Sequence, residues 1–177
     1  MSNSRVLVSD RCREYHEVIR GLFEKVFGVT PNVFHDKNRN SYYSHFKRKA
    51  VYLFLTEVLE VSRGAVRKNL SPPSYEKSWD GELKGSYFGG LLDSEGHVGK
   101  LQAKVNFSTT SKPVFDFVCE FLSQNNIKFG SYQRTRRKGN EFEVNVYGKE
   151  NIGRLLKCSS FQHPEKIARL ESVLSVH

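Results

Sequence analysis

The feature that most constrains the fold is a run of ten residues, Tyr87 to Gly96, which reads YFGGLLDSEG. Its apolar residues are typical of a packed helix, yet it carries the adjacent glycines Gly89 and Gly90. A glycine inside a helix costs about 1 kcal/mol relative to alanine. Gly85 precedes Gly89 by four residues, and residues four apart share one helical face. The run therefore predicts a helix against which another backbone packs closely.

Two acids stand at the end of this predicted helix. Asp93 and Glu95 lie where the helix dipole is negative, which disfavours carboxylates. Gly96 follows them, and glycine can adopt the left-handed conformation that closes a helix. Carboxylates held at such a position are best explained by a cation beside them.

The charge of the chain favours a polyanionic partner. The 28 Lys and Arg outnumber the 19 Asp and Glu in a chain of 177 residues, which gives a net charge of +9. The pI is about 9.5. Basic domains of this size bind nucleic acid more often than any other polyanion. No segment approaches the run of about 18 apolar residues that a membrane span needs, so we expect no membrane partner.

The three cysteines predict a reducing, intracellular compartment. Cys12, Cys119 and Cys158 are odd in number and far apart, with no C-x-x-C pair. This pattern argues against a disulfide framework and against a zinc module. We expect three reduced thiols.

The chain after residue 96 has a simple predicted order of elements. Residues 97–108 alternate between apolar and polar side chains, which predicts a half-buried strand region with a bend or bulge at Gly99. A helix follows, with Ser111 as its cap. A hairpin over 128–147 and helices over 150–156 and 164–176 complete the order.

The first third of the chain repeats this order. Val18, Leu22 and Phe23 match Phe117, Phe121 and Leu122 at an offset of 99 residues. A hairpin over 32–47, turning near 37–40, would match the second hairpin. The same offset puts the first repeat's counterpart of the 87–96 helix before Met1. We therefore expect an N-terminal repeat that lacks its motif helix and first strand.

The run FGGLLDSEG resembles the signature motif of the LAGLIDADG homing endonucleases. The resemblance implies an α/β (α+β) fold with two pseudo-symmetric units, each with helices packed on one face of a curved antiparallel β-sheet. The other face of each sheet would grip DNA. The expected domains are an incomplete repeat over 1–60, a linker over 61–82 and a complete repeat over 83–177.

The resemblance also implies the site chemistry. The acid in the penultimate position of the motif binds a divalent cation in the family, and Glu95 is the matching residue. Carboxylate oxygen suits Mg²⁺ or another hard divalent cation. Asp93 is expected to orient the helix end. Lys166 is the predicted catalytic lysine, and Lys68 is a poorer candidate.

The polar faces of the strands are the predicted DNA-binding surface. A β-ribbon fits the major groove, where Arg reads guanine and Asn or Gln reads adenine. In the second unit the predicted DNA-binding residues are Lys100, Gln102, Lys104, Asn106, Gln133, Arg134, Arg136, Arg137, Lys138 and Asn145. In the first unit they are Lys37, Arg39, His45 and Lys47.

Two functions follow from the resemblance. The first is a site-specific, intron-encoded homing endonuclease that cleaves phosphodiester bonds of a long DNA duplex with a divalent metal. The second is an inactive descendant that binds DNA or RNA, such as an intron maturase or a regulator. The usual mechanism needs two acids, and this chain supplies one. An incomplete gene product, a second polypeptide that supplies the missing motif helix, and a non-cleaving relic all remain open.

Overall fold

The computed structural model describes residues 5–61, 70–99, 102–136 and 139–175. The chain divides into two compact units. The first consists of Met1–Val61 with His163–Glu165, and the second of Ser62–Gln162 with Lys166–His177. All of the segment 61–82 except its first residue falls in the second unit, and its role as a linker stays a prediction. No helix within the described ranges has the length and apolar character needed to cross a membrane.

The first unit is a three-stranded antiparallel sheet with helices. Its strands pair in the order β1-β3-β2. In chain order the elements are β1 (Val6–Asp10), α1 (Arg13–Phe27), β2 (Asn32–Asp36), β3 (Ser41–Phe46) and α2 (Lys49–Leu53), which continues into a π-helical turn at Phe54–Val58.

Helix α1 packs on β3 through its apolar stripe. The rings of Phe23 and Phe46 lie edge to face with centroids 4.8 Å apart. The fully buried His16 forms a hydrogen bond between its Nδ1 and Ser44 Oγ at 2.7 Å, so this buried polar pair is satisfied. Gly28 ends the helix in the left-handed conformation, as is usual for a C-terminal glycine.

The second unit contains the larger sheet, with strands in the order β4-β5-β7-β6. All of its pairings are antiparallel. In chain order its elements are α3 (Gly81–Glu95), β4 (Gly96–Val98), β5 (Lys104–Thr109), α4 (Lys112–Gln124), β6 (Phe129–Arg136), β7 (Gly139–Tyr147), α5 (Lys149–Cys158) and α6 (Pro164–Ser175).

The core of the second unit lies between the helices and one face of this sheet. Val118, Leu122, Ile152 and Leu155 of α4 and α5 are fully buried. The cap predicted for α4 is confirmed, because Ser111 Oγ accepts a hydrogen bond from the Val114 N–H at 3.2 Å. The sheet contributes the buried side chains Val98, Val105, Phe107, Phe142, Val144 and Val146.

The two units share a topology, which confirms the predicted repeat and the α+β fold class. Strand order β1-β3-β2 in the first unit corresponds to β5-β7-β6 in the second, with α1 and α4 in equivalent places along the chain. Both predicted hairpins are present, as β2–β3 and β6–β7. Within the described residues, the first unit has no strand equivalent to β4.

The predicted strand region 97–108 is wrong in its continuity. It forms two short strands, β4 and β5, which pair with each other. The Gly99 N–H donates to the Lys104 carbonyl at 2.9 Å. A Cβ on Gly99 would lie 2.9 Å from the Gln102 carbonyl oxygen. The chain therefore folds back where a bend or bulge is predicted, and Gln102 lies in the turn.

Candidate metal and nucleic-acid site

Helix α3 carries the acid-ended motif. Asp80 caps its start, because its Oδ1 accepts a hydrogen bond from the Leu83 N–H at 2.8 Å. Phe88 and Leu92 are each only 1% exposed and anchor the helix to the core of the second unit. A capped and deeply anchored helix holds its C-terminal residues in a fixed place.

The glycines of α3 allow another backbone to approach, as predicted. A Cβ on Gly85 would overlap the Cys158 carbonyl oxygen, and a Cβ on Gly89 would lie 2.7 Å from the Ser160 carbonyl group. The approaching backbone is the connection between α5 and α6. The prediction does not extend to Gly90, which is exposed; apart from its chain neighbours and the backbone of its own helix, no described atom lies within 4 Å of the point that a Cβ there would occupy.

The C-terminal end of α3 is fixed by Asp93 and Lys166. Asp93 is 3% exposed, and both carboxylate oxygens accept from the Gln162 N–H at 3.1 Å. This contact gives Asp93 the orienting role expected of it. Lys166 Nζ donates to the carbonyls of Leu92 at 2.9 Å and Asp93 at 2.6 Å. A cation at a helix C-terminus is favourable, so Lys166 completes the helix end, and its catalytic role stays a prediction.

Glu95 is exposed and lines a small pocket. It is the last residue of α3 and comes directly before β4. The pocket has a volume of about 130 Å³ and is lined by Leu70, Glu95, Ser108, Thr109, Thr110 and Glu141. Two carboxylates and several hydroxyls are hard oxygen donors, which fit Mg²⁺ or Mn²⁺ better than softer metals.

The pocket does not form a complete protein cage for a metal. No group of three or more His, Cys, Asp or Glu in the described part of the chain is arranged to hold a metal ion. Mg²⁺ is usually bound through one or two carboxylates together with waters and substrate phosphates. The donors around Glu95 therefore fit a metal that is completed by a nucleic-acid phosphate.

The sheet of the second unit presents a polar face away from its helices, which we call the open face. Directly paired residues of antiparallel strands share a face, and the buried Val105, Phe107, Phe142, Val144 and Val146 define the opposite one. The open face consists of His97, Lys104, Asn106, Ser108, Tyr132, Arg134, Glu141, Glu143, Asn145 and Tyr147.

A hydrogen-bonded network occupies the centre of the open face. Asn106 Nδ2 donates to Glu143 Oε1 and to Asn145 Oδ1, both at 2.9 Å. Asn145 Nδ2 donates to Glu143 Oε1 at 2.8 Å, and the Arg134 guanidinium lies 3.3 Å from Glu143 Oε2. The structure thus brings together three predicted DNA-binding residues around an acid that the sequence analysis did not select.

The remaining predicted residues of the second unit are dispersed. Lys104 lies on the open face, with its ammonium 5.3 Å from the ring centroid of Tyr147. Gln133 pairs with Phe142 and therefore lies on the face of the buried strand residues, not on the open face. The backbone of Arg136 pairs with Gly139. Lys68, Lys100, Arg137 and Lys138 fall outside the described residues.

The predicted residues of the first unit do not form one row. Lys37 and Arg39 lie in the exposed turn between β2 and β3, where Arg39 is 3.9 Å from the Asp36 carboxylate. His45 is in β3, with its ring edge-on to Phe34 at 4.9 Å. Lys47 follows that strand and is exposed. These side chains are split between a turn, a strand and the segment that follows the strand.

Comparison with known proteins identifies the fold. Residues 82–158 match the LAGLIDADG-like domain. The homing endonuclease I-DmoI in complex with DNA and Ca is similar in structure, with a TM-score of 0.64 and 16% identity over 95% of this chain and 83% of that one. I-DmoI with DNA and Mn gives a TM-score of 0.57 and 14% identity over 98% and 82%.

The N-terminal LAGLIDADG domain of DUF199/WhiA is also similar, with a TM-score of 0.59 and 12% identity over 96% of this chain and 77% of that one. No curated protein sequence matches the chain. At these identities the structural matches establish the fold. The match of residues 82–158 confirms the resemblance drawn from residues 87–96.

Proposed function

We propose that this protein, whose residues 82–158 form a LAGLIDADG-like domain, is a site-specific DNA endonuclease that uses a divalent metal ion. The observation that carries the proposal is the position of Glu95. Its exposed carboxylate ends a rigidly packed helix and shares a pocket with Ser108 and Glu141 of the open face. A metal ligand at that place is adjacent to the surface that would hold the duplex.

In this proposal Glu95 would hold Mg²⁺ or another divalent cation, with Glu141 of the same pocket as a second carboxylate. A bound metal of this kind activates water and stabilises charge on the scissile phosphate. Asp93 and Lys166 hold the end of α3 in place through their hydrogen bonds. They therefore fix where the Glu95 carboxylate is presented.

The open face would bind the duplex. Lys104 and Arg134 supply positive charge, and a β-ribbon is an established reader of the major groove. Binding of this kind weakens as salt concentration rises, because phosphate contacts release counterions. The basic composition of the chain supports the same partner.

A second polypeptide would supply the other acid needed to cut the second strand. The described residues carry one acid-ended motif helix, α3. Around Gly90 this helix is open, and Leu83 on it is 54% exposed. An apolar helix with an open glycine can accept another helix at close range. On this proposal the chain alone nicks one strand, and the partner is required for a double-strand cut.

The alternative is a LAGLIDADG-type protein that binds DNA or RNA without cleaving it, such as a maturase or regulator. Two observations favour it. The described residues carry one motif helix with an acid at the position proposed to bind the metal, whereas the usual mechanism needs two such helices. The same fold also occurs in DUF199/WhiA. A fold does not by itself imply an activity.

The intron-encoded, homing character and an intracellular, reducing location are part of the proposal. Cys12, Cys119 and Cys158 are free thiols. Burial is the largest influence on each of them and raises the pKa of all three. Such thiols are in the less reactive, protonated form at neutral pH.

The test compares Glu95→Gln with the parent chain and with Glu82→Gln. Glu82 is an exposed acid in the first turn of the same helix, so it controls for loss of a charge on α3. Duplexes selected by the parent from a randomised library would be end-labelled and incubated with Mg²⁺. We expect nicking by the parent and by Glu82→Gln, and none by Glu95→Gln.

Binding is measured in the same samples. Glu95→Gln should retain salt-sensitive binding to the selected duplexes. Binding by all three proteins with no nicking by the parent would support the non-cleaving alternative. Loss of both binding and nicking in Glu95→Gln alone would mean that Glu95 is a structural residue.

A further inference from the structure

We propose that Glu143 is a positioning residue that sets the base preference of the open face by holding Arg134 in one orientation. This inference rests on the proposed binding of DNA by that face. It assigns the reading of a base to Arg134 and gives the two asparagines of the network a supporting role.

An acid at the centre of a DNA-binding surface requires an explanation. Glu143 repels phosphates, so it opposes the phosphate binding that Lys104 and Arg134 favour. Its side chain is 17% exposed, whereas that of Arg134 is 56% exposed. Both carboxylate oxygens are engaged, Oε1 by the two amides and Oε2 by the guanidinium. A carboxylate engaged through both oxygens can orient the neighbours that contact it.

The two asparagines are committed to the network. Asn106 uses both N–H groups of its amide, one on Glu143 and one on Asn145. Asn145 is 2% exposed and both donates to Glu143 and accepts from Asn106. Recognition of adenine needs a free amide that donates and accepts at once. Neither asparagine presents one, so they hold Glu143 in place.

Arg134 is the member of the network that can reach a base. A guanidinium has five N–H donors in a fixed planar fork, and one edge of it faces Glu143. The exposed remainder can donate to O6 and N7 of guanine, which is the commonest specific contact in the major groove. The contact of Arg134 Nη2 with Glu143 Oε2 limits where the fork can point, so its exposed donors would favour guanine at one position.

The test uses base preference as its readout. Duplexes bound from a randomised library would be sequenced for the parent, Arg134→Ala, Glu143→Gln and the matched control Glu150→Gln. Glu150 pairs with Arg154 at 2.7 Å on α5, so its substitution removes an Arg–Glu pair away from the open face. Glutamine is isosteric with glutamate but has one acceptor oxygen, so Glu143→Gln cannot satisfy both sides of the network.

We expect Arg134→Ala and Glu143→Gln to lose about tenfold in preference for the same guanine, the size of one bidentate contact. Total affinity of Glu143→Gln for unselected duplex should stay equal or rise, because a negative charge is removed. Glu150→Gln should keep the parent's preferences. Arg134→Lys should also lose the preference for this guanine, because lysine keeps the positive charge but lacks the planar fork of donors.

Three results would overturn the inference. If Glu143→Gln kept the base preferences of the parent, Glu143 would have no positioning role. DNA binding by the parent would in that case still leave the proposed function intact. A uniform loss of preference at all positions, together with a lowered free energy of unfolding, would make Glu143 structural only. Absence of DNA binding by the parent would refute the proposed function and this inference with it.

Discussion

Replacing Gly89 by alanine should destabilise the protein, although alanine is the better helix former. The added Cβ would lie 2.7 Å from the Ser160 carbonyl carbon and oxygen and 3.1 Å from the Phe161 nitrogen. An ordinary contact begins near 3.4 Å, so the connection between α5 and α6 must move. All three neighbouring atoms are backbone, which cannot turn aside as a side chain can.

The size of the effect follows from two opposing contributions. Overpacking of a filled site costs about 1–3 kcal/mol, and a backbone obstacle belongs in the upper half of that range. Replacing glycine by alanine inside a helix stabilises the helix by about 1 kcal/mol. The free energy of unfolding should therefore fall by about 1–2 kcal/mol.

Gly90→Ala is the matched control one residue along the same helix. Apart from its chain neighbours and the backbone of its own helix, no described atom lies within 4 Å of its added Cβ, so only the helix contribution remains. We expect it to raise the free energy of unfolding by about 0.5–1 kcal/mol. Urea unfolding followed by circular dichroism measures both variants. Equal shifts in the two variants, or stabilisation by Gly89→Ala, would refute the assignment of a close backbone contact to Gly89.

Two further predictions concern ionisable groups of the second unit. Lys166→Met should lower the free energy of unfolding in urea by about 1–2 kcal/mol, because it removes the ammonium donor from the carbonyls of Leu92 and Asp93; an unchanged midpoint would argue against this contact. Burial, aided by the charge of Glu76, raises the pKa of Tyr87 from 10.0 to about 12. The unfolded chain then loses this proton first, so the free energy of unfolding should fall as pH rises from 10 toward 12, and Tyr87→Phe should show a shallower fall.

The elements with strong local signals could be predicted from the sequence. Ser111, followed two residues later by Pro113, marks the start of α4, and the structure places the N-terminal cap at Ser111. The glycine spacing of 85 and 89 correctly indicates a close backbone. Each of these signals depends on residues within one or two turns of the chain.

The central network could not be predicted, because it depends on strand register. Glu143 meets Asn106 across 37 positions of sequence, and only the pairing of β5 with β7 brings them together. The prediction for Gln133 is wrong about its face for a related reason. The polar and small residues of β6 around it give no apolar alternation from which a face can be read.

The sequence pattern does not reveal the turn between β4 and β5. Alternation of apolar and polar residues continues through it, so the periodicity indicates one strand. The hydrogen bond from Gly99 to Lys104 shows instead a tight reversal. Alternation of apolar and polar residues does not by itself distinguish a long strand from a short hairpin.

Because α3 runs directly into β4, the position of the Glu95 carboxylate depends on the register between β4 and β5. With Gly96 opposite Phe107 and Val98 opposite Val105, Glu95 has no intervening loop to absorb an error. A slip of one residue exchanges the two sides of a strand and would carry the carboxylate away from its pocket. A single insertion or deletion within Gly96–Val98 would shift this register directly, because those residues follow Glu95 without a loop.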